Sequence, residues 1–153
     1  MFIMISKIHA TETLKGEFGV ATYSTPASVT IGLATVIPTE ATGAINSELS
    51  SSYGYARVTV DCDSAKWEAD AVTGYVKNKT AIEFDAFTST PSPAINVSHW
   101  FMSPVAAGAP GDKANYYDVL KDANGGTTTY EVKAGGKLTI PAGQLQIGRV
   151  NPS

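Results

Sequence analysis

Turn residues interrupt this chain so often that only short strands fit between them. Apolar and polar residues alternate through residues 28–37 (SVTIGLATVI), 55–60 (YARVTV), 80–87 (TAIEFDAF) and 127–133 (TTTYEVK), and through the series Leu138, Ile140, Leu145 and Ile147. Alternation with a period of two is the signature of a strand with one face turned to a core. Pro38, Pro91, Pro93 and Pro141, with the glycine pairs at 125–126 and 135–136, end these runs. No helical run long enough for a parallel crossover lies between them. Roughly six to eight short strands at such spacing predict an all-β fold, an antiparallel β-sandwich of jelly-roll-like form.

Individual runs carry more detailed expectations. Residues 51–60 read as a glycine-punctuated loop entering a central strand, with Ala56, Val58 and Val60 inward and Tyr55, Arg57 and Thr59 outward. The β-branched run 28–37 puts Val29, Ile31 and Leu33 on one face before Pro38 stops it. In 80–87, Ile82, Phe84 and Ala86 oppose Glu83 and Asp85. Residues 95–102 (INVSHWFM) are apolar on both faces, which fits a strand covered on both sides or one flanked by an aromatic contact surface. An Asn-Gly pair in Asp122-Ala123-Asn124-Gly125-Gly126, between 115–121 and 127–133, is a hairpin signal.

Two segments stand apart as candidate contact surfaces. Residues 1–19 form an N-terminal arm or short helix ahead of a β-sandwich domain at 20–153. Phe2, Ile5 and Ile8 fall near one face of that helix, which ends at Gly16, although the β-branched content also fits a short strand; with Ile3 they either pack on the domain or reach a neighbouring subunit. The polar stretch 39–52 exceeds the roughly 12 residues beyond which loops tend to be functional or disordered. Glu40, Ile45 and Leu49 are its candidate contact residues.

Composition excludes several functions. Charged residues are 16% of the 153, against about 25% in typical soluble domains, so the surface is neutral and rich in hydroxyls. The net charge is −3, and the 11 Lys and Arg are scattered, which leaves no footprint for nucleic acid. The apolar start is too short for a membrane span and is a poor signal peptide. Cys62 is the single cysteine, and His9 and His99 are the two histidines. Neither a metal site nor a catalytic triad is expected from so few ligands. Asp61 with Asp63, and Glu83 with Asp85, read as solvated strand faces rather than acid–base pairs. No catalytic residue, metal or cofactor is therefore expected. Tyr53, Tyr55, Trp67, Tyr75, Trp100, Tyr116, Tyr117 and Tyr130 supply either core or a sugar-stacking platform.

Read in order, several stretches are similar to a known family. These are Tyr23-Ser24-Thr25-Pro26-Ala27-Ser28-Val29-Thr30-Ile31-Gly32-Leu33, Pro38-Thr39-Glu40-Ala41 and Gly54-Tyr55-Ala56-Arg57-Val58, then Ala81-Ile82-Glu83-Phe84 and Val97-Ser98-His99-Trp100. Val132-Lys133-Ala134-Gly135 and Pro141-Ala142-Gly143-Gln144-Leu145-Gln146-Ile147 complete the series. Together they resemble small bacteriophage virion proteins, often labelled tail-fibre-like, over roughly residues 20–148. Small β-proteins of similar kind serve as capsid decoration, or cement, proteins. The resemblance implies a non-enzymatic structural protein on the capsid surface, bound to the major capsid protein and to copies of itself as a homo-oligomer. An alternative role is a tail or fibre component that binds host-surface glycans. Neither role calls for nucleic acid or a membrane as partner.

Overall fold

A computed structural model describes residues 4–148, and antiparallel strands dominate them. In chain order they are β1 (Met4–Ile5), helix α1 (Lys7–Glu17), β2 (Ser28–Ala34), a 3-10 turn (Ser51–Tyr53), β3 (Val58–Asp61), β4 (Trp67–Asp70) and β5 (Tyr75–Asn78). β6 (Ile82–Glu83), β7 (Asn96–Val97), β8 (His99–Ser103), β9 (Tyr116–Val119), β10 (Tyr130–Glu131), β11 (Thr139–Ile140) and β12 (Gln146–Gly148) follow. The all-β expectation holds.

The frame is a five-stranded sheet in the order β1-β9-β8-β2-β3. On one face Val29, Ile31, Leu33, Trp100 and Met102 enter the main core. Ile82, Phe84, Val97, Val132, Leu138 and Ile140 meet them there, carried by or next to the paired strands β6–β11 and β7–β10. Two antiparallel layers thus share one core, but the second layer is built of two-residue ladders rather than one continuous sheet. A three-stranded sheet, β12-β5-β4, closes one side and packs Trp67 and Ile147 against the core. The opposite face of the large sheet buries Phe101, Tyr117, Ala34 and Ala114.

β2 and β8 are the strands covered on both sides. Their pairing sets Leu33 against Trp100 toward the main core and Gly32 against Phe101 on the other face. The Asp122–Gly126 turn also forms. Asp122 N–H donates to the Gly126 carbonyl at 2.9 Å, the Asp122 carboxylate accepts from Asn124 and Gly126 N–H, and Lys121 bridges Thr127. Its arms then separate, because β9 pairs with β8 and β1 while β10 pairs with β7.

Two local expectations are corrected. The 55–60 run is an edge strand, not a central one, and it begins only at Val58. Val60 is buried, whereas Ala56 is exposed and Tyr55 and Arg57 turn inward. Residues 55–57 lie outside the ladder, so alternation no longer governs them, and the half-buried carboxylate of Glu48 draws both polar groups inward, with Asp112 completing the set for Arg57. At the N-terminus, Ile5 belongs to β1, paired with Tyr116. Helix α1 starts behind the N-cap Ser6, whose Oγ accepts from His9 N–H at 3.4 Å. In this helix His9 is buried against Tyr116 and Tyr23, while Ile8 is 40% exposed. Phe2 and Ile3 lie outside the described residues.

Gly32 is required by a close approach. A Cβ there would run into the ring of Phe101, which lies across the glycine on the neighbouring strand. Overpacking of this kind costs about 1–3 kcal/mol. Gly32→Ala is therefore expected to lower the urea midpoint by that much stability with an unchanged m-value.

Candidate functional site

A cleft of 500 Å³ opens where α1, β9 and the β4-β5-β12 sheet meet. Pairing of β1 with β9 brings α1 over the end of the large sheet, and its buried His9 packs edge-on against Tyr116 at 4.9 Å and at a tilt against Tyr23 at 6.0 Å. Trp67 enters from β4. Its indole N–H donates to the Asp61 carbonyl at 2.9 Å, which fixes the ring while leaving its faces free of that bond. Val29, Val76, Met102 and Ile147 complete an apolar lining, and Asp63 and Glu68 bring carboxylates to it. Asn115 also lines the cleft at 8% exposure, and its Oδ1 has no hydrogen-bond partner among the described residues.

A separate ion cluster holds the loops of the other sheet face. The Arg57 side chain is only 5% exposed. Its Nε and Nη2 donate to Glu48 at 2.8 Å each, and Nη1 and Nη2 donate to Asp112 at 2.7 and 2.9 Å. The guanidinium also lies 4.8 Å from the Phe101 ring centre. Tyr55 hydroxyl donates to Glu48 at 2.9 Å and accepts from Leu33 N–H at 2.9 Å. Burial and the neighbouring Glu48 charge push that phenol far above its ordinary value. Burial alone would raise the Asp112 carboxyl. Hydrogen bonds from Arg57, Gly108 N–H and Ser103 hydroxyl outweigh it and hold the group below the usual carboxylate value.

The residues singled out by sequence scatter across these features. Leu49 is buried in the main core at 4% exposure, and Ile45 packs half-buried on the second cluster. Ile5 is half-buried in β1. Ile8 and Glu40 face outward, Glu40 beside Lys7 at 3.7 Å. The 39–52 stretch is pinned by Glu48 and by Ala114 N–H donating to the Gly43 carbonyl at 2.7 Å. Each carboxylate pair divides between local tasks: Asp63 accepts from Ala65 and Lys66 N–H, and Glu83 pairs with Lys137 at 2.7 Å. Of the aromatics considered, Trp67 and Tyr116 share the cleft, whereas Tyr55, Trp100 and Tyr117 are core. Tyr23 and Asn115 were missed, since neither stands out until the chain closes.

One constellation resembles a hydrolytic triad and is not built as one. Ser98 Oγ lies 2.7 Å from His99 Nδ1, and the Asp118 charge acts on that ring. Ser98 hydroxyl, however, donates to the Thr35 carbonyl at 3.0 Å, so its proton is directed away from the imidazole. Burial holds His99 below its ordinary value against the pull of Asp118. Among the described residues no group of three or more His, Cys, Asp and Glu stands ready to hold a metal, and no helix is long and apolar enough to cross a membrane.

The chain is thus an all-β domain whose shielded ion pairs fasten loops and whose aromatic concavity is open to solvent. The family model described as Podophage GP4 fiber I protein gp80 matches residues 4–148, and the chain belongs to that family. It is accordingly a bacteriophage structural protein associated with the virion, of tail-fibre-like kind. No curated protein matches it.

Two outcomes follow from the ion cluster. Arg57→Met leaves Glu48 and Asp112 facing each other without a counter-charge, which costs about 3 kcal/mol, the low end for a broken buried pair because Glu48 still reaches water. Urea unfolding at neutral pH measures it. A lowered folded-state value for Asp112 means that its contribution is complete above the unfolded value and is lost as pH falls through the folded one. Stability of the native chain is expected to fall steeply there, and Arg57→Met is expected to flatten that part of the profile.

Proposed function

We propose that the chain is a fibre component of a phage virion that acts by binding and not by catalysis. The observation that carries this reading is the match of a fibre-protein family model to residues 4–148, almost the whole chain. Surface chemistry supports it. Ile8, Leu14, Phe18 and Val20 are exposed at 40, 47, 79 and 72% along α1 and the segment after it. Apolar side chains this close in sequence suit contact with a neighbouring virion subunit or a second copy of the chain. Glu40 and Lys7 sit beside them as a polar border.

The low charge that favours close subunit packing also favours a second reading, a decoration protein spread over the outer surface of the shell and bound to the major capsid protein. Such a protein gains avidity from many modest contacts on a lattice. Copy number separates the two. Quantitative mass spectrometry of purified virions is expected to find this chain at a small fraction of the major shell subunit. A ratio near that subunit's own number, or a simple fraction of it, overturns the fibre reading in favour of decoration.

A further inference from the structure

We infer that the cleft between α1, β9 and the β4-β5-β12 sheet holds one ring of a neutral sugar. The inference rests on the fibre reading for its setting, because a fibre meets the glycan of the host surface. Its chemistry rests on the cleft alone.

A pyranose ring has an apolar C–H face and a rim of hydroxyl donors. Aromatic side chains line the cleft from three separate parts of the chain, Trp67, Tyr23 and Tyr116, the two tyrosines also touching His9. Stacking on an aromatic face combines burial of apolar surface with a polar edge left free for hydrogen bonds. The charged groups lining the cleft are the carboxylates of Asp63 and Glu68. Asp63 Oδ1 already accepts two backbone N–H groups, and Glu68 is only loosely paired with Lys77 at 3.6 Å. Both retain acceptor capacity toward a hydroxyl.

The two carboxylates favour a ligand that brings hydroxyl donors. An acidic sugar does not suit them, since no Lys or Arg is among the described residues that line the cleft.

The two tryptophans make the test direct. Trp100 is 2% exposed in the core, whereas Trp67 is half-buried in the cleft, so acrylamide quenching of the full-length chain reports mainly Trp67. Methyl glycosides of glucose, galactose, rhamnose and N-acetylglucosamine are the probes, with N-acetylneuraminic acid as the acidic comparison. At least one neutral glycoside is expected to protect Trp67 saturably in the millimolar range, and the acidic sugar is not. Saturation-transfer NMR then follows the same glycoside with two variants. Trp67→Ala is expected to weaken binding about tenfold, as loss of a stacking aromatic does. Because Trp67 also touches the core, Ala69→Trp serves as the second variant: it fills the cleft from an exposed strand position and is expected to abolish binding with an unchanged circular dichroism spectrum. No protection by any neutral probe, preference for the acidic sugar, or binding that survives Ala69→Trp overturns the inference. Sugar binding together with shell-like copy numbers on the virion overturns the fibre setting and leaves the cleft chemistry standing, so the two failures are distinguishable.

Discussion

The guanidinium of Arg57 is the point on which one side of this structure depends. Its five N–H donors form a rigid fork that suits two carboxylates at once. Glu48 brings in the 39–52 stretch and Asp112 brings in the 104–115 connection, so two long loops are fixed to one side chain. Beneath it lies Phe101, and beyond Phe101 the bare backbone of Gly32. Glycine, ring and cation thus form a stack through the central strands. Each layer needs the one next to it: without Gly32 the ring has no seat, and without the ring the cation has no apolar floor.

That stack also marks where sequence reading stops. Alternation marks 28–37 as a strand with Val29, Ile31 and Leu33 on one face, and apolar residues at successive positions mark 95–102 as covered on both sides; burial of the other face of β2 emerges only where Gly32 meets Phe101. The Asn-Gly turn was equally legible, since its backbone chemistry is local. Arg57 was misplaced for the opposite reason. A charged side chain on an apparent strand is assigned to water by default, and its two partners lie 9 and 55 residues away. Periodicity contains faces but no partners. The cleft illustrates the same limit, with His9, Tyr23, Trp67, Asn115 and Ile147 meeting only once β1 pairs with β9 and β12 with β5. The N-terminal run is helical only from Lys7 to Glu17: Ile5, which the apolar spacing puts on the helix face, belongs to β1, and His9 rather than Ile8 is the buried residue.

The molecule divides its labour accordingly. Buried charge fastens loops on one face of the large sheet, while the other face fills the core and leads to an aromatic opening at its end. Potential reactive groups are occupied: Ser98 by a backbone carbonyl, Asp63 by a turn, Asn78 by the Thr80 and Pro141 carbonyls and by Leu145 N–H. Polar side chains used this way add order without adding net surface charge. An uncharged surface loses little hydration when it is covered.

The broken second layer has a bearing on crowding. An unpaired strand edge is a template for another chain, and the hazard grows with its length and flatness. Ladders of two residues, such as β6–β11 and β7–β10, offer a stranger almost no backbone to copy. In this layer a neighbouring molecule therefore finds side chains, whose shapes can be matched or refused, rather than a run of main chain to pair with; the longer edges lie elsewhere, at the four-residue strands β3 and β4.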